Sequence, residues 1–177
     1  MPLCLCVKKM PVDFIVSSLP TLAFGAPAPI SWEKFCEIVA DTVPSAPSPT
    51  GVAQFPYPQI WIDLETQLKN AVAEARVGNA DFNRPAEGCS LFWRNRILAC
   101  FQEKDVARRD ELIDRVWWDA AEELVSPSNP LGRSALAAYA VRLKIALKRD
   151  RISAAAGNAA FDRLTAETKI DFGNEKS

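Results

Sequence analysis

The sequence predicts an all-α protein, a bundle of about five or six helices with an irregular proline-rich N-terminal region. Three observations carry that prediction. Apolar residues recur at three- and four-residue steps over most of the chain beyond Ile60. Convincing period-two alternation of the strand type is nearly absent, and no fixed repeat appears. Glycine and proline fall between the periodic stretches, where helices are expected to start and stop.

Taken in order, "DFIVSSLPTLAFG" (Asp13 to Gly25) is β-branched at its start and broken by Pro20 and Gly25, so it fits either a short strand or a helical turn. In "APAPISWEKFCEIVADTV", Ser31 is a good N-cap for a helix continuing through Phe35, Ile38 and Val39. Glu33 and Glu37 in its first turns favour the helix dipole. Pro44 to Pro58 holds five prolines and reads as an irregular connection. Ile60, Leu64, Leu68, Ala71, Val72 and Ala75 mark one face of a long helix that Gly78 and Asn79 should stop. A short helix is expected over Ser90 to Phe101, a longer charged one over Gln102 to Val125, and another after "SPSNP". Gly157 and Asn158 divide that helix from a final short one, Ala159 to Lys169. The organisation is then 1–58, an N-terminal segment with one helix and the proline-rich connection; 59–170, a helical body; and 171–177, a frayed tail.

Composition removes several function classes. The chain of 177 residues has a net charge of −1, which lacks the electrostatic footprint of a nucleic-acid binder. It contains no histidine, so Ser-His and Cys-His nucleophile pairs and the commonest metal ligand are all excluded. The five cysteines are scattered, and the Cys4-x-Cys6 pair has no second pair to complete a zinc site. Buried thiols in a reducing compartment fit them better than a disulfide framework. Glu122 and Glu123 are adjacent and point about 100° apart on a helix, so they do not form an acid–base pair. No phosphate-binding glycine motif occurs. Neither catalysis nor a cofactor is expected. No apolar run approaches the roughly 18 residues of a membrane span, and "MPLCLCVKKM" does not have the order of a secretory leader.

Charge is segregated between the last two long helices. Glu103 to Glu123 carries eight acidic residues against four basic, and Arg133 to Arg151 carries six basic against one acidic. Either the two helices pair antiparallel, or the basic face is free for an acidic partner or anionic lipid. On a wheel, Leu136, Tyr139, Ala140, Leu143 and Leu147 form one apolar stripe facing the core. Ala137, Ala138, Val141 and Ile145 form a second, with Lys144 and Lys148 on one border and Arg142 and Arg149 on the other. A helix apolar on two sides is either central in a bundle or a seat for a partner. The tryptophans pose the same choice. Trp117 shares a face with Leu112, Ile113, Val116, Ala120 and Leu124, whereas Trp118 points about 100° away, toward a second core layer or an interface. The candidate partner surface is therefore Trp118, Val141, Arg142, Lys144, Ile145, Lys148 and Arg149.

Two stretches resemble known proteins. "DFIVSSLPTLAFGAPAPISWEKF" is similar to the opening of a small bacterial family of undetermined activity with an "ASLP" element and "PPIS" before a helix; "RVWWDAAEELVSPSNPLGRSALAAYAVRLKIALKRDRISAAAGNAAF" resembles its C-terminal half. Genes of that family sit in V-type ATP synthase operons that lack the ordinary C-type subunit (d-type in the eukaryotic enzyme). "NPLGRSALAAYAVRLKIALKRDRI" also looks like the pattern of that C-type subunit, with Pro130, Ala138, Tyr139, Leu143, Lys144, Ile145, Arg149, Ile152 and Gly157 in comparable places. The sequence departs at Asp13 and Phe14, where the small family favours consecutive aromatics, and it is much shorter than the C-type subunit. The resemblance implies a non-catalytic coupling subunit of a V-type rotary ATP synthase, partnered by central-stalk and membrane-rotor-ring subunits. Such a subunit is cytoplasmic and peripheral to the inner membrane. The other expectation is a peripheral membrane or adaptor module that binds anionic surfaces through the basic helix.

Overall fold

A computed structural model describes residues 10–40, 42–43, 55–78, 84–85, 88, 90–152 and 162–163. The protein is all-α: the described residues form six helices and no strand. Of the expected proline-rich connection only Phe55 to Pro58 is described, and of the expected final helix only Asp162 and Arg163. The rest of those two segments, the tail 171–177, and Cys4, Cys6 and Cys89 lie outside the described residues.

The stretch that fitted either strand or helical turn is a helix, α1 (Val12–Ser18). Pro11, with no amide hydrogen to offer, precedes it at a position where none is needed. The hydroxyls of Ser17 and Ser18 donate back to the carbonyls of Phe14 and Ile15, and the chain turns extended at Leu19, ahead of Pro20. α2 (Trp32–Val39) begins where Ser31 Oγ accepts the Lys34 amide hydrogen. α3 (Gln59–Val77) stops at Gly78, whose φ of 80° is the left-handed conformation glycine adopts without strain.

Ser90 caps α4 (Leu91–Cys100) by accepting from the Trp93 amide. The next helix starts later than its charge pattern predicts. α5 (Val106–Glu122) is set by Asp105, whose carboxylate accepts the Ala107 amide hydrogen, while Phe101 to Glu103 form a tight turn. An N-cap aspartate outweighs periodicity in fixing a first residue. α6 (Arg133–Arg151) follows Gly132.

Helix α6 is central. α5 packs along one side of it, and α1 and α2 pack on another; α3 and α4 pair and join the bundle through α5. α5 and α6 run antiparallel, as their ion pairs show: Arg142 holds Glu122, whereas Lys148 and Arg149 reach back to Asp110, Glu111 and Asp114. Five buried alanines, Ala135, Ala137, Ala138, Ala140 and Ala146, keep α6 narrow enough for neighbours to approach on several sides. Both apolar stripes are covered. Leu136, Ala140 and Leu143 are fully buried, and Ala137, Ala138, Val141 and Ile145 are also buried, with Ile145 8% exposed.

Helices α1 and α2 are part of the same core. Ile15 of α1 and Phe35 of α2 rank with Leu68, Ile97, Leu136 and Leu143 among the largest fully buried side chains. Tyr139 Oη donates to the Pro20 carbonyl at 3.0 Å, and Asp150 accepts the Ala28 amide hydrogen at 2.9 Å. These bonds tie the loop between α1 and α2 down across α6. Burial holds the Tyr139 hydroxyl neutral, pushing its pKa up to about 12.

Candidate partner-binding groove

Helices α3 and α6 flank α5 without packing extensively on each other, and the space between them is an open groove of about 670 Å³. Its floor is apolar: Trp61 of α3, Ile113 and Trp117 of α5, and Val141 and Ile145 of α6. Trp61 and Trp117 meet edge to face, ring centroids 6.2 Å apart, and this contact joins α3 to α5. The α3 wall is a row spaced by helical steps, in which Trp61, Glu65, Lys69, Val72, Ala73 and Arg76 share one face. Asn70 extends that wall beyond the helix. Its side-chain amide donates to the Arg84 carbonyl at 2.8 Å and its oxygen accepts the Arg84 amide hydrogen at 2.9 Å, which fixes Arg84 at the mouth.

The rim is basic, with Lys69, Arg76 and Arg84 on the α3 side and Lys144 and Lys148 on the α6 side. Lys69 is held by Glu65 at 2.7 Å. Lys148 is held by Asp114 at 2.7 Å and by Asp110 at 3.1 Å. Asp114 and Lys148 do not share this pairing equally. Burial raises the Asp114 pKa by more than its bond to Lys148 lowers it. Burial also works against the Lys148 charge, but there Asp114 and Asp110 together outweigh it and raise the pKa. The more buried carboxylate carries the larger desolvation cost.

Lys144 is different. Its ammonium lies 4.5 Å from the Trp32 ring centroid and 5.0 Å from that of Tyr57, with no carboxylate in ion-pair reach among the described residues. Burial lowers its pKa, partly countered by the more distant charge of Glu65. The neighbouring Tyr57 hydroxyl is buried with no hydrogen-bond partner among the described residues, and burial pushes its pKa well above the ordinary range.

The seven residues singled out from the sequence divide into two groups. Val141, Lys144, Ile145 and Lys148 line the groove. Trp118, Arg142 and Arg149 instead gather with Phe24, from the segment between α1 and α2. Trp118 is buried edge-on to Phe24 at 5.6 Å, Arg142 stacks over Trp118 at 5.3 Å and pairs with Glu122, and Arg149 stacks over Phe24 at 4.8 Å. Three of the four basic residues on the borders of the second stripe thus already hold α5 carboxylates. Sequence reasoning missed Trp61, Trp117, Arg76 and Arg84 as groove residues. The spacing of Trp61, Glu65, Lys69 and Arg76 along one helix face was a usable signal; the capture of Arg84 by Asn70 was not.

Among the described residues no helix is long and apolar enough to cross a membrane, and no cluster of three or more acidic or cysteine side chains could hold a metal ion. No protein-family model matches the chain, and no curated protein or solved structure does either.

Proposed function

We propose that this protein is a non-catalytic coupling subunit of a V-type rotary ATP synthase, joining central-stalk to membrane-rotor components by helix packing at the cytoplasmic face of the membrane. The observation that carries the binding half of this reading is the groove. An apolar floor on which Val72, Ile113 and Trp117 stay partly exposed, between edges of cations, fits a partner's side chains. The resemblance of residues 129–152 to the C-type subunit of such synthases supports the choice of assembly. That stretch is α6 with its flanks, the helix on which the bundle is organised and which forms one wall of the groove.

The test is co-purification. Full-length protein, tagged and expressed at native level in cells that make a V-type synthase, should recover central-stalk subunits in fixed stoichiometry. Recovery of the folded protein without any of them overturns the proposal. Sedimentation with phosphatidylserine vesicles separates it from an anionic-surface module. Because Arg142, Lys148 and Arg149 are engaged by α5, the isolated protein should stay in the supernatant at moderate salt.

A further inference from the structure

We infer that the groove between α3 and α6 seats an acidic amphipathic helix of a partner protein. The inference rests on reading this chain as a partner-holding subunit, and it adds what the partner must present.

Shape comes first. The α3 wall runs from Trp61 to Arg76, which at 1.5 Å per residue is about 22 Å. Trp61, Val141 and Ile145 on the floor are only 2%, 5% and 8% exposed, so Val72, Ile113 and Trp117, each partly exposed, are the apolar groups that an occupant's side chains can meet. The occupant therefore lies across the mouth and inserts apolar side chains at intervals, which is what one face of an amphipathic helix offers.

Charge decides the flanks. The groove has five cations, Lys69, Arg76, Arg84, Lys144 and Lys148, against two carboxylates, Glu65 and Asp114, although the whole chain has a net charge of −1. Glu65 neutralises Lys69, and Asp114 neutralises Lys148. Among the described residues no ion pair engages Arg76, Arg84 or Lys144. These three stand at opposite ends. Lys144 sits by Tyr57, just before α3 begins, whereas Arg76 and Arg84 sit where α3 ends. A single small anion cannot reach both ends, but carboxylates near both ends of a helix of about fourteen residues can.

A single-stranded nucleic acid also carries spaced negative charge, but the floor argues against it. Trp61 is buried and meets the half-exposed Trp117 at 73°, so the two rings do not form a row of parallel platforms for successive bases.

Fluorescence anisotropy with the full chain tests the inference. The probes are three labelled helical peptides of about fourteen residues. All have leucines on one face, and both flanks carry glutamate, glutamine or lysine; an unlabelled oligothymidylate serves as competitor. The glutamate peptide should bind about tenfold more tightly than the glutamine one, and the lysine peptide more weakly than both. The exposed double variant Arg76→Glu, Arg84→Glu, its fold checked by circular dichroism, should lose that preference and favour lysine. Equal binding of the three peptides, binding of none, an indifferent double variant, or displacement by the oligothymidylate would each overturn it. The two proposals fail separately. If stalk subunits co-purify with the double variant as with the wild type, only the groove assignment falls. If the peptides discriminate but no stalk subunit is recovered, only the coupling role falls.

Discussion

Phe35→Ala tests whether the N-terminal helices belong to the same cooperative unit as α5 and α6. Phe35 is fully buried, with Trp32, Phe55 and Tyr139 ring centroids 5.2, 5.8 and 5.7 Å from its own. A buried phenylalanine removes roughly 150–200 Å² from water, which is about 4 kcal/mol at 25 cal/mol per Å²; alanine keeps about a third of it. Lost aromatic contacts and a residual cavity restore the total to about 3–5 kcal/mol. That is a large share of the roughly 5–15 kcal/mol a domain usually has. Urea unfolding followed by circular dichroism should therefore show one transition, moved to lower urea with its slope unchanged. Hydrogen exchange should show protection falling by the same free energy in α2, α5 and α6. If protection is lost in α1 and α2 while α5 and α6 keep theirs, the N-terminal segment is a separate unit and the single-core reading is refuted.

Three further outcomes are expected. Gly78→Ala should cost about 1 kcal/mol, because an added methyl meets nothing within 4 Å and the whole penalty is the left-handed φ of 80°; thermal melts measure it, and a neutral effect would mean that the helix end relaxes. Asp114→Asn should change stability by less than about 1 kcal/mol at neutral pH, since Asp110 still holds Lys148, Glu111 still holds Arg149, and a costly buried charge is gone; a loss of several kcal/mol would show that the pair is a net stabiliser. Both tyrosines should resist ionisation. Tyr139 is raised from 10.0 to about 12 in the folded state and Tyr57 is raised too, so the folded form prefers the neutral phenols. That preference is fully present below about pH 10 and is lost as pH rises toward 12, with Lys148 adding to the loss because its folded pKa is also raised. Phenolate absorbance should thus appear together with unfolding, and early titration of one tyrosine in a folded chain would contradict its burial.

Helix boundaries were legible at three of the caps. Ser31, Ser90 and Gly78 start or stop helices within a residue of where their chemistry places them. α5 shows the limit, since the true cap, Asp105, lies inside a run of charges that look equally helical. α1 shows another, because seven residues are too few for periodicity to separate strand from helix. Along α5 and just past its end, the expected stripe is buried at Val116, Ala120 and Leu124 but not at Trp117. The stripe containing Trp117 has the pattern of the deeper face, yet Trp118 is buried and Trp117 is half-exposed in the groove. Phe24, from a loop almost a hundred residues earlier, covers Trp118, and no local pattern encodes that contact.

The basic residues of α6 show why charge alone could not locate the site. Arg142, Lys144, Lys148 and Arg149 lie within eight consecutive positions and look equivalent in sequence. Three of them face α5, whose carboxylates stand in register with them: Glu122 for Arg142, Asp110 and Asp114 for Lys148, Glu111 and Asp114 for Arg149. Lys144 is turned to Trp32 and Tyr57, whose rings attract a cation but cannot neutralise it. Desolvation against the two rings opposes the Lys144 charge and lowers its pKa, although the residue as a whole is exposed. Replacing Lys144 by methionine would keep the packing on both rings and remove the charge that desolvation opposes. The isolated protein should therefore be equally stable or more stable with Lys144→Met, while the glutamate-flanked peptide should bind it more weakly. A variant that lost stability and kept full peptide binding would make Lys144 a structural residue and deprive the groove of one of its two ends.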